Sequence, residues 1–376
     1  MSDAAAGSPV PLLDETGEID AAWLESVLAL NYPGVRVRGV RMRPIGAGNV
    51  SDTRHIVVEY DQRPDGAPDA VVAKFKPSSP EVHEHGLGSG AYHREIGAYR
   101  AITERAACRI PRLHHVAGDE TNINLIIEDL TSAVPGNQVA GCGVGEARAV
   151  LTELAHLHAT FFPAEPTTAP SWPIRLADVA DYWTGATRTG SAAALERYRD
   201  RLDALDLDAV AGVADVVHDW HRLPQTRLTL THGDPRVDNV LFEQVDGATR
   251  AVLIDWQVTG LRNPMYDVGY FLSGSISIDD RRAHEDALLE HYLREFATVR
   301  AGYSRADALH DYRTQVLSGL VITTAAISVL PDNDAVNTLI LALLERNCAA
   351  VRDWDALTAT RERTTGRPQL GDQEAM

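Results

Sequence analysis

The stretch that decides the fold runs from Thr231 to Trp256. Its first part is Thr231-His232-Gly233-Asp234-Pro235-Arg236-Val237-Asp238-Asn239-Val240-Leu241-Phe242, and after a turn at Asp246-Gly247 it ends in Val252-Leu253-Ile254-Asp255-Trp256. Two short apolar runs of strand character therefore flank a turn and follow a polar loop. We expect a hairpin over residues 239–256 that brings Asn239 and Asp255 to one edge.

Three residues of this stretch have the spacing that phosphoryl transfer uses: Asp234, Asn239 five positions later, and Asp255 at the end of the next strand. Asp234 can accept the proton of a substrate hydroxyl. The Asn239 carbonyl and the Asp255 carboxylate are hard oxygen ligands, suited to Mg²⁺ that bridges nucleotide phosphates. Any one of them alone would more often cap a turn. The prediction therefore depends on their combination.

Taken with its neighbours, this stretch resembles the aminoglycoside phosphotransferase and choline kinase superfamily, which includes an ecdysteroid kinase-like branch. The resemblance rests on HGDPRVDN at 232–239, LIDWQ at 253–257 and PMYDVGYFL at 264–272. It covers nearly the whole ordered chain. It implies an α+β, protein-kinase-like, two-lobed fold with a small β-rich N-lobe and a larger, mainly helical C-lobe.

The resemblance also assigns roles within the C-lobe. It implies that Asp234 is the catalytic base and that Asn239 and Asp255 are the metal ligands. His232 and Asp267 are then structural supports of the loop. ATP and Mg²⁺ are the implied cofactors.

The chain has two halves of different texture, as its 376 residues allow. Alternating or β-branched runs predict strands, and apolar positions at helical spacing predict helices. The predicted strands are 35–44, 53–60, 70–76, 113–117 and 123–130, and the predicted helical regions are 88–107, 144–162, 172–222 and 279–357. The domains expected from this pattern are an N-terminal extension at 1–25, a nucleotide-binding N-lobe at 26–130, a C-lobe with the catalytic loop and acceptor pocket at 131–357, and a flexible tail at 358–376; residues 1–20 are expected to be solvated.

A glycine-rich turn between the first two strands is the candidate phosphate loop. Glycines let backbone amides approach phosphates closely. The turn departs from the kinase G-x-G-x-x-G pattern because Ser51 stands in the third glycine position, and alone it would be an ordinary hairpin turn. The residues assigned to the nucleotide are Gly46, Gly48, Asn49 and Ser51.

Lysine usage points to a second phosphate contact. Of 35 basic residues only Lys74 and Lys76 are lysines. Lys74 in Val71-Val72-Ala73-Lys74 matches the family's V-A-I-K strand, while Lys76 is interpreted as an exposed lysine; strand alternation puts both on the same face, so the choice stays open. Glu95 in the following helix is the expected partner of Lys74, whereas Glu81 and Glu84 are expected in a solvated loop.

The run Leu125-Ile126-Ile127-Glu128-Asp129-Leu130 ends a strand at the predicted lobe boundary. It resembles the hinge of the kinase family. By that resemblance, backbone groups around Glu128 and Leu130 bind adenine. Their side chains carry no information about the nucleotide.

Composition excludes several classes of protein. The net charge of −18 argues against a nucleic-acid partner. Three isolated cysteines exclude a disulfide framework, and no basic residue precedes Arg36, so we expect no signal peptide and a cytoplasmic location. The longest apolar run, 319–330, is too short to span a membrane and predicts a buried helix.

The other histidines do not have the spacing of a metal site. His156 and His158 lie two positions apart in a helical pattern and therefore point to different faces. His114 and His115 begin a strand and are expected to be packing residues. We predict no zinc site.

Three functions fit the fold: a small-molecule kinase, a protein kinase, and a catalytically weak nucleotide-binding pseudokinase or scaffold. Only eleven residues separate Asp255 from Asp267, too few for the peptide-docking segment of a protein kinase. A pseudokinase normally lacks the base, a metal ligand or the lysine, and all are present. The expected function is transfer of the γ-phosphate of ATP to a hydroxyl.

The acceptor is expected to be a small hydroxylated molecule, such as an aminoglycoside, an amino sugar, a choline-like amine or a sterol. Acidic residues would bind a cation and aromatic residues a ring or a cation, but the acids could equally be solvated helix surface. The sequence leaves this choice and the oligomeric state open. The candidate pocket residues are Asp279, Asp280, Tyr270 and Trp183.

Overall fold

The computed structural model describes residues 10–45, 51–224 and 226–365. The chain divides into two units. Unit 1 comprises residues up to Val134 together with 254–258, and unit 2 comprises residues 135–253 and those from Thr259 onward. The first is rich in β-structure and the second in helix, which confirms the α+β fold class. No helix within the described ranges is both long and apolar enough to cross a bilayer.

Unit 1 is built on a five-stranded antiparallel sheet with the strand order β1-β2-β3-β5-β4. The predicted strands are all present. The turn between the second and third strands contains Gly66 at φ +78°, a conformation that glycine adopts without strain. The strands are β1 (Arg36–Pro44), β2 (Asp52–Gln62), β3 (Ala70–Phe75), β4 (Leu113–Gly118) and β5 (Ile123–Glu128).

The described part of unit 1 also contains three α-helices: α1 (Ala21–Ala29), α2 (Pro80–Ser89) and α3 (Ala91–Arg105). The loop expected around Glu81 and Glu84 is wrong, because these residues lie in α2. Pro80 occupies the first turn of this helix, where the missing N–H costs nothing. Gly90 at φ +69° ends α2 and begins α3, so the single predicted helix at 88–107 is divided in two.

The core of unit 1 includes the N-terminal segment. Val10, Ile19 and four residues of α1 are buried against sheet residues that include Phe75. Trp23 packs edge-on against Phe75, with 6.0 Å between ring centroids, and its indole N–H donates to Pro11 O at 2.8 Å. Residues 10–25 are therefore part of this core, neither an extension nor a solvated tail as expected.

Unit 2 is mainly helical. The apolar run at 319–330 lies largely in a buried helix, as predicted. The last helix covers residues 358–365, and Ala359 and Thr360 within it are buried. The flexible tail expected from residue 358 is therefore wrong for this part of the chain. The helices are α4 (Val144–Phe161), α5 (Ala180–Arg197), α6 (Ala204–His221), α7 (Met265–Ser275), α8 (Ile278–Val299), α9 (Arg305–Gln315), α10 (Leu317–Ile327), α11 (Asp334–Asp353) and α12 (Ala356–Thr365).

Two small sheets interrupt the helices and carry the loop of interest. The 232–239 loop follows one sheet and precedes the other, and it ends in a 3₁₀ turn at Val237–Asn239. The strands are β6 (Val134–Pro135), β9 (Val240–Val245) and β10 (Ala248–Leu253) in one sheet, and β7 (Ile174–Arg175), β8 (Thr229–Thr231) and β11 (Gly260–Arg262) in the other. The predicted hairpin is β9–β10, which pairs Val240 with Leu253.

Replacement of Trp23 tests whether the N-terminal segment belongs to the core. We expect Trp23→Ala to lower the free energy of unfolding by about 3–5 kcal/mol, because it removes a buried aromatic side chain and leaves a cavity. Leu12→Ala, at a side chain that is 46% exposed, should cost less than about 1 kcal/mol. Urea unfolding followed by circular dichroism measures both. Equal small effects would show that the segment is not part of the core.

Candidate active site

The carboxylate of Asp267 anchors the start of the 232–239 loop. Asp267 in α7 is completely buried. It accepts the backbone N–H of His232 at 2.6 Å and that of Gly233 at 3.0 Å. Burial alone would raise the pKa of Asp267, but the hydrogen bond and charge of His158 and the loop contacts outweigh it and lower that pKa. Asp267 is therefore a carboxylate that fixes the start of the loop.

His158 in α4 is the side chain that orients Asp267, and sequence reasoning missed this role. Its Nε2 lies 3.0 Å from Asp267 Oδ2, and its Nδ1 lies 2.9 Å from the Tyr292 hydroxyl. Its backbone carbonyl accepts the Thr229 hydroxyl at 2.7 Å. Asp267 is the single charged residue between Asn263 and Ile278, which is a signal that it needs a buried partner; the sequence around His158, with His156 and Thr160 beside it, gives no signal of its own.

Asp234 lies at the centre of the loop, and its carboxylate accepts hydrogen bonds from three side chains. The Tyr270 hydroxyl donates to Oδ1 at 2.8 Å. Arg236 Nε lies 3.0 Å from Oδ1 and 3.3 Å from Oδ2. Asn239 Nδ2 donates to Oδ2 at 3.1 Å. His232 Nδ1 faces the Asp234 N–H at 3.3 Å, so it contacts the loop backbone.

Asn239 presents its carbonyl oxygen away from Asp234. Its amide nitrogen donates to both the backbone carbonyl of Asp234, at 2.9 Å, and the Asp234 carboxylate. Because the nitrogen is used in this way, Oδ1 is the atom that can accept a further contact. Asn239 directly precedes β9, and Asp255 follows the paired end of β10 by two residues.

A second support of the loop, also missed from the sequence, comes from Gln138. Its side-chain Oε1 accepts the Val237 backbone N–H at 2.9 Å, and its backbone N–H donates to Asp238 Oδ1 at 2.7 Å. The neighbouring Gly136 lies so close that a Cβ there would be 2.0 Å from Val237 O. These contacts span about 100 positions of sequence, so no local pattern could have revealed them.

A separate charge cluster lies in unit 1. Lys74 Nζ is 2.7 Å from Glu95 Oε1 and 3.2 Å from Asp255 Oδ1. Burial alone would lower the pKa of Lys74, but the Asp255 and Glu95 carboxylates outweigh it and raise that pKa, so the lysine is charged. The structure thus brings the three sequence-predicted residues of this cluster together.

Asp255 has two features of a ligand-binding residue. Its side chain is 42% exposed, although Lys74 and Glu95 beside it are nearly buried. Its backbone φ is +66°, a left-handed conformation that non-glycine residues rarely adopt and that clusters at functional sites. Lys76, by contrast, follows β3 and pairs with the exposed Asp14 at 2.7 Å, which separates the two lysines.

The remaining candidates for nucleotide binding are the residues of the glycine-rich turn and of the predicted hinge. Gly46, Gly48 and Asn49 lie outside the described residues. Ser51 is buried, with its hydroxyl 3.5 Å from that of Thr53. The Glu128 carboxylate forms a bidentate ion pair with Arg109 at 2.6 and 3.0 Å. At the predicted hinge, the Glu128 N–H donates to the Arg112 carbonyl, and the Leu130 carbonyl accepts the Ala133 N–H.

Of the four acceptor candidates, Tyr270 contacts Asp234. Its ring is buried, so it presents its hydroxyl to the carboxylate. Asp279 and Asp280 lie exposed in the first turn of α8, where Ser277 caps the helix by accepting the Asp280 N–H. Such acids stabilise a helix N-terminus without any ligand. Trp183 in α5 packs edge-on against Tyr182, with ring centroids 5.4 Å apart.

The model of the ecdysteroid kinase-like family matches residues 184–302, a segment that contains both the 232–239 loop and Asp255. A choline kinase from Cryptosporidium parvum Iowa II aligns with a TM-score of 0.56 and 12% identity, over 92% of this chain and 99% of that chain. This chain has the fold of the small-molecule kinases. A protein from Ralstonia eutropha JMP134 described as an aminoglycoside phosphotransferase gives a TM-score of 0.54 at 14% identity, over 89% and 97%.

A microcompartment-associated aminopropanol kinase has the same kinase-like fold, with a TM-score of 0.50 and 14% identity over 88% of this chain and 98% of that chain. No curated protein matches the sequence at a significant level. The predicted superfamily resemblance is confirmed. At these identities the comparisons show the kinase-like fold, and the chemistry must be argued from the residues.

Unfolding experiments, which need no substrate, can test whether Lys74 is the buried partner of Glu95. We expect Lys74→Met to lower the free energy of unfolding by about 3–5 kcal/mol, because Glu95 would become an unpaired buried charge. Lys76→Met removes a surface pair and should cost less than about 1 kcal/mol. Guanidinium unfolding of both variants gives the comparison. If the two losses are equal, Lys74 is not the buried member of the pair.

Proposed function

We propose that the protein is an ATP-dependent phosphotransferase that moves the γ-phosphate to a hydroxyl of a small acceptor. The observation that carries this proposal is the joint geometry of Asp234 and Asn239. The two side chains are hydrogen-bonded at 3.1 Å on a loop whose start is fixed by a buried carboxylate. The kinase-like fold supports this assignment, and unit 1 contains a buried charge cluster with the lysine that is proposed to bind phosphate.

In this proposal Asp234 is the general base. Its carboxylate binds the acceptor hydroxyl and receives the hydroxyl proton as the oxygen forms its bond to phosphorus and ADP leaves. Positioned bases of this kind contribute about 10²–10⁴-fold to a rate. The buried supports of the loop keep the base in position. Phosphoryl transfer gains most of its catalysis from such positioning and from electrostatic stabilisation.

Each unit contains a hard oxygen ligand of the kind that suits Mg²⁺ carried by a nucleotide: Asn239 Oδ1 in unit 2 and the exposed Asp255 carboxylate in unit 1. Mg²⁺ is usually bound by one or two protein oxygens together with substrate phosphates. The described residues contain no group of three or more His, Cys, Asp or Glu that could hold a metal by itself. The ion would neutralise phosphate charge during transfer.

Lys74 is the proposed phosphate ligand. Glu95 holds its ammonium at 2.7 Å and Asp255 lies at 3.2 Å, so the lysine is oriented before any nucleotide binds. An ammonium is a compact point charge that suits the α- and β-phosphates. The Lys74 side chain is only 13% exposed, and the two carboxylates that keep it charged also hold its ammonium in one position.

The acceptor is proposed to be a small hydroxylated molecule. Only eleven residues separate Asp255 from Asp267, too few for the segment on which a protein kinase docks its peptide substrate. The net charge of −18 disfavours a nucleic-acid substrate. The structures that share the fold include kinases named for choline and for aminopropanol, both small alcohols. An alcohol of that size class is the proposed substrate.

Asp234→Asn tests this function directly. We expect kcat to fall by about 10²–10⁴-fold while ATP still binds, since the amide cannot accept the proton but keeps the shape of the side chain. Coupled ADP release over aminoglycosides, amino sugars, choline-like amines, hydroxy acids, nucleosides and hydroxysterols measures the rate. Asp246→Asn is the matched control, because Asp246 lies in the β9–β10 turn at φ +51°, where asparagine is equally suited.

A near-normal rate for Asp234→Asn would remove it from the mechanism. Transfer that persists in EDTA would contradict the metal assignment. Mg²⁺-dependent ATP binding without turnover on any acceptor class would instead favour a nucleotide-binding scaffold.

A further inference from the structure

The Asp234 carboxylate already accepts hydrogen bonds from three donors. The Tyr270 hydroxyl donates to Oδ1, Asn239 Nδ2 donates to Oδ2, and the single Nε–H of Arg236 is shared between the two oxygens, at distances between 2.8 and 3.3 Å. A carboxylate offers about four lone-pair positions, and a general base must hydrogen-bond the hydroxyl whose proton it takes. An acceptor hydroxyl therefore competes with these donors for the carboxylate.

Arg236 is the donor best placed to leave. Tyr270 and Asn239 are only 5% and 8% exposed, and both are fixed by helix α7 or by the 3₁₀ turn. The Arg236 side chain is 29% exposed and reaches Asp234 through a single Nε shared between two oxygens. Its other carboxylate neighbour among the described residues is Asp238, at 3.9 Å from Nη1.

We infer that Arg236 is a displaceable cation: it covers Asp234 in the free protein, gives way to the acceptor hydroxyl, and then binds an anionic oxygen of the substrates. This inference rests on the proposed function. A guanidinium that leaves one carboxylate can pair with another anion, and its charge-assisted hydrogen bonds to phosphate or carboxylate oxygens are strong. Its planar fork fits phosphate and carboxylate oxygens equally well.

Two sources could supply that anion: the terminal phosphate of the nucleotide, or an acidic group on the acceptor. Both place positive charge beside the reacting hydroxyl. An acceptor with an ammonium two carbons from its hydroxyl would put like charges close together. The inference therefore favours neutral or anionic acceptors over ethanolamine-like ones.

Kinetics of Arg236 variants give the first test. We expect Arg236→Lys and Arg236→Ala to lower kcat by about tenfold or more for the best acceptor of the screen, because the new anion loses its forked partner. The Kd for Mg·ADP should stay within about threefold of wild type, since ADP lacks the terminal phosphate. Arg305→Ala is the control, because Arg305 forms an exposed ion pair with Asp286 far along the chain.

Displacement itself can be seen by NMR of the full chain labelled with ¹⁵N-arginine. The Arg236 Nε–H signal, assigned by its loss in Arg236→Lys, should be slow to exchange in the free protein and should move when the contact with Asp234 breaks. The probes are Mg·AMP-PNP alone, and Mg·AMP-PNP with glycolate, ethylene glycol or ethanolamine. These three alcohols share a two-carbon frame and differ in charge.

A shift with Mg·AMP-PNP alone assigns the anion to the terminal phosphate, and a shift that requires glycolate assigns it to the acceptor. An Arg236 signal unchanged by every probe, or Arg236→Lys with wild-type kcat and KM on an acceptor that is turned over, overturns the inference while the kinase function stands. Absence of nucleotide binding and of turnover in the wild type overturns the proposed function, and the inference with it.

Discussion

The buried Asp267 carboxylate is the constraint on which the site depends. It accepts two consecutive backbone N–H groups, those of His232 and Gly233, and it bonds the His158 ring that anchors it to α4. Hydrogen bonds to a charged group are each worth about 1.5–3 kcal/mol, and the groups they satisfy would otherwise be buried without partners. Three elements distant in sequence therefore meet at one carboxylate, and the loop between β8 and β9 has one start point.

The positions of Asp234 and Asn239 in unit 2 depend on this fixed start of the loop. Gly233 takes φ +89°, which turns the chain so that Asp234 projects from the loop. The 3₁₀ turn, held by Gln138, then brings Asn239 back to the Asp234 carboxylate. Unit 1 carries its own preorganised cluster, in which Glu95 and Asp255 hold Lys74 charged. Rigid supports of this kind let residues on a loop act as if they were on a helix or strand.

Local patterns in the sequence predicted the strands of unit 1, because alternation is visible within ten or so positions. The motifs also named candidate residues that the structure brings into contact within each unit, Asp234 with Asn239 and Lys74 with Glu95 and Asp255. The misses are long-range. Residues 1–20 and 358–376 were expected to be solvated, although Ile19 and Ala359 are buried by partners far along the chain. The roles of His158, Gln138 and Arg236 depend on which atoms face each other, and spacing alone does not contain that information.

The most direct test of the central constraint is hydrogen exchange in Asp267→Asn. An asparagine can accept from one side only, so one loop N–H loses its acceptor. We expect the amides of His232 and Gly233 to exchange about 10–100-fold faster, from the loss of about 1.5–3 kcal/mol, while the strand amides of β2 and β3 exchange at the wild-type rate. Unchanged exchange at His232 and Gly233 in a folded Asp267→Asn chain would contradict the claim that this carboxylate fixes the loop.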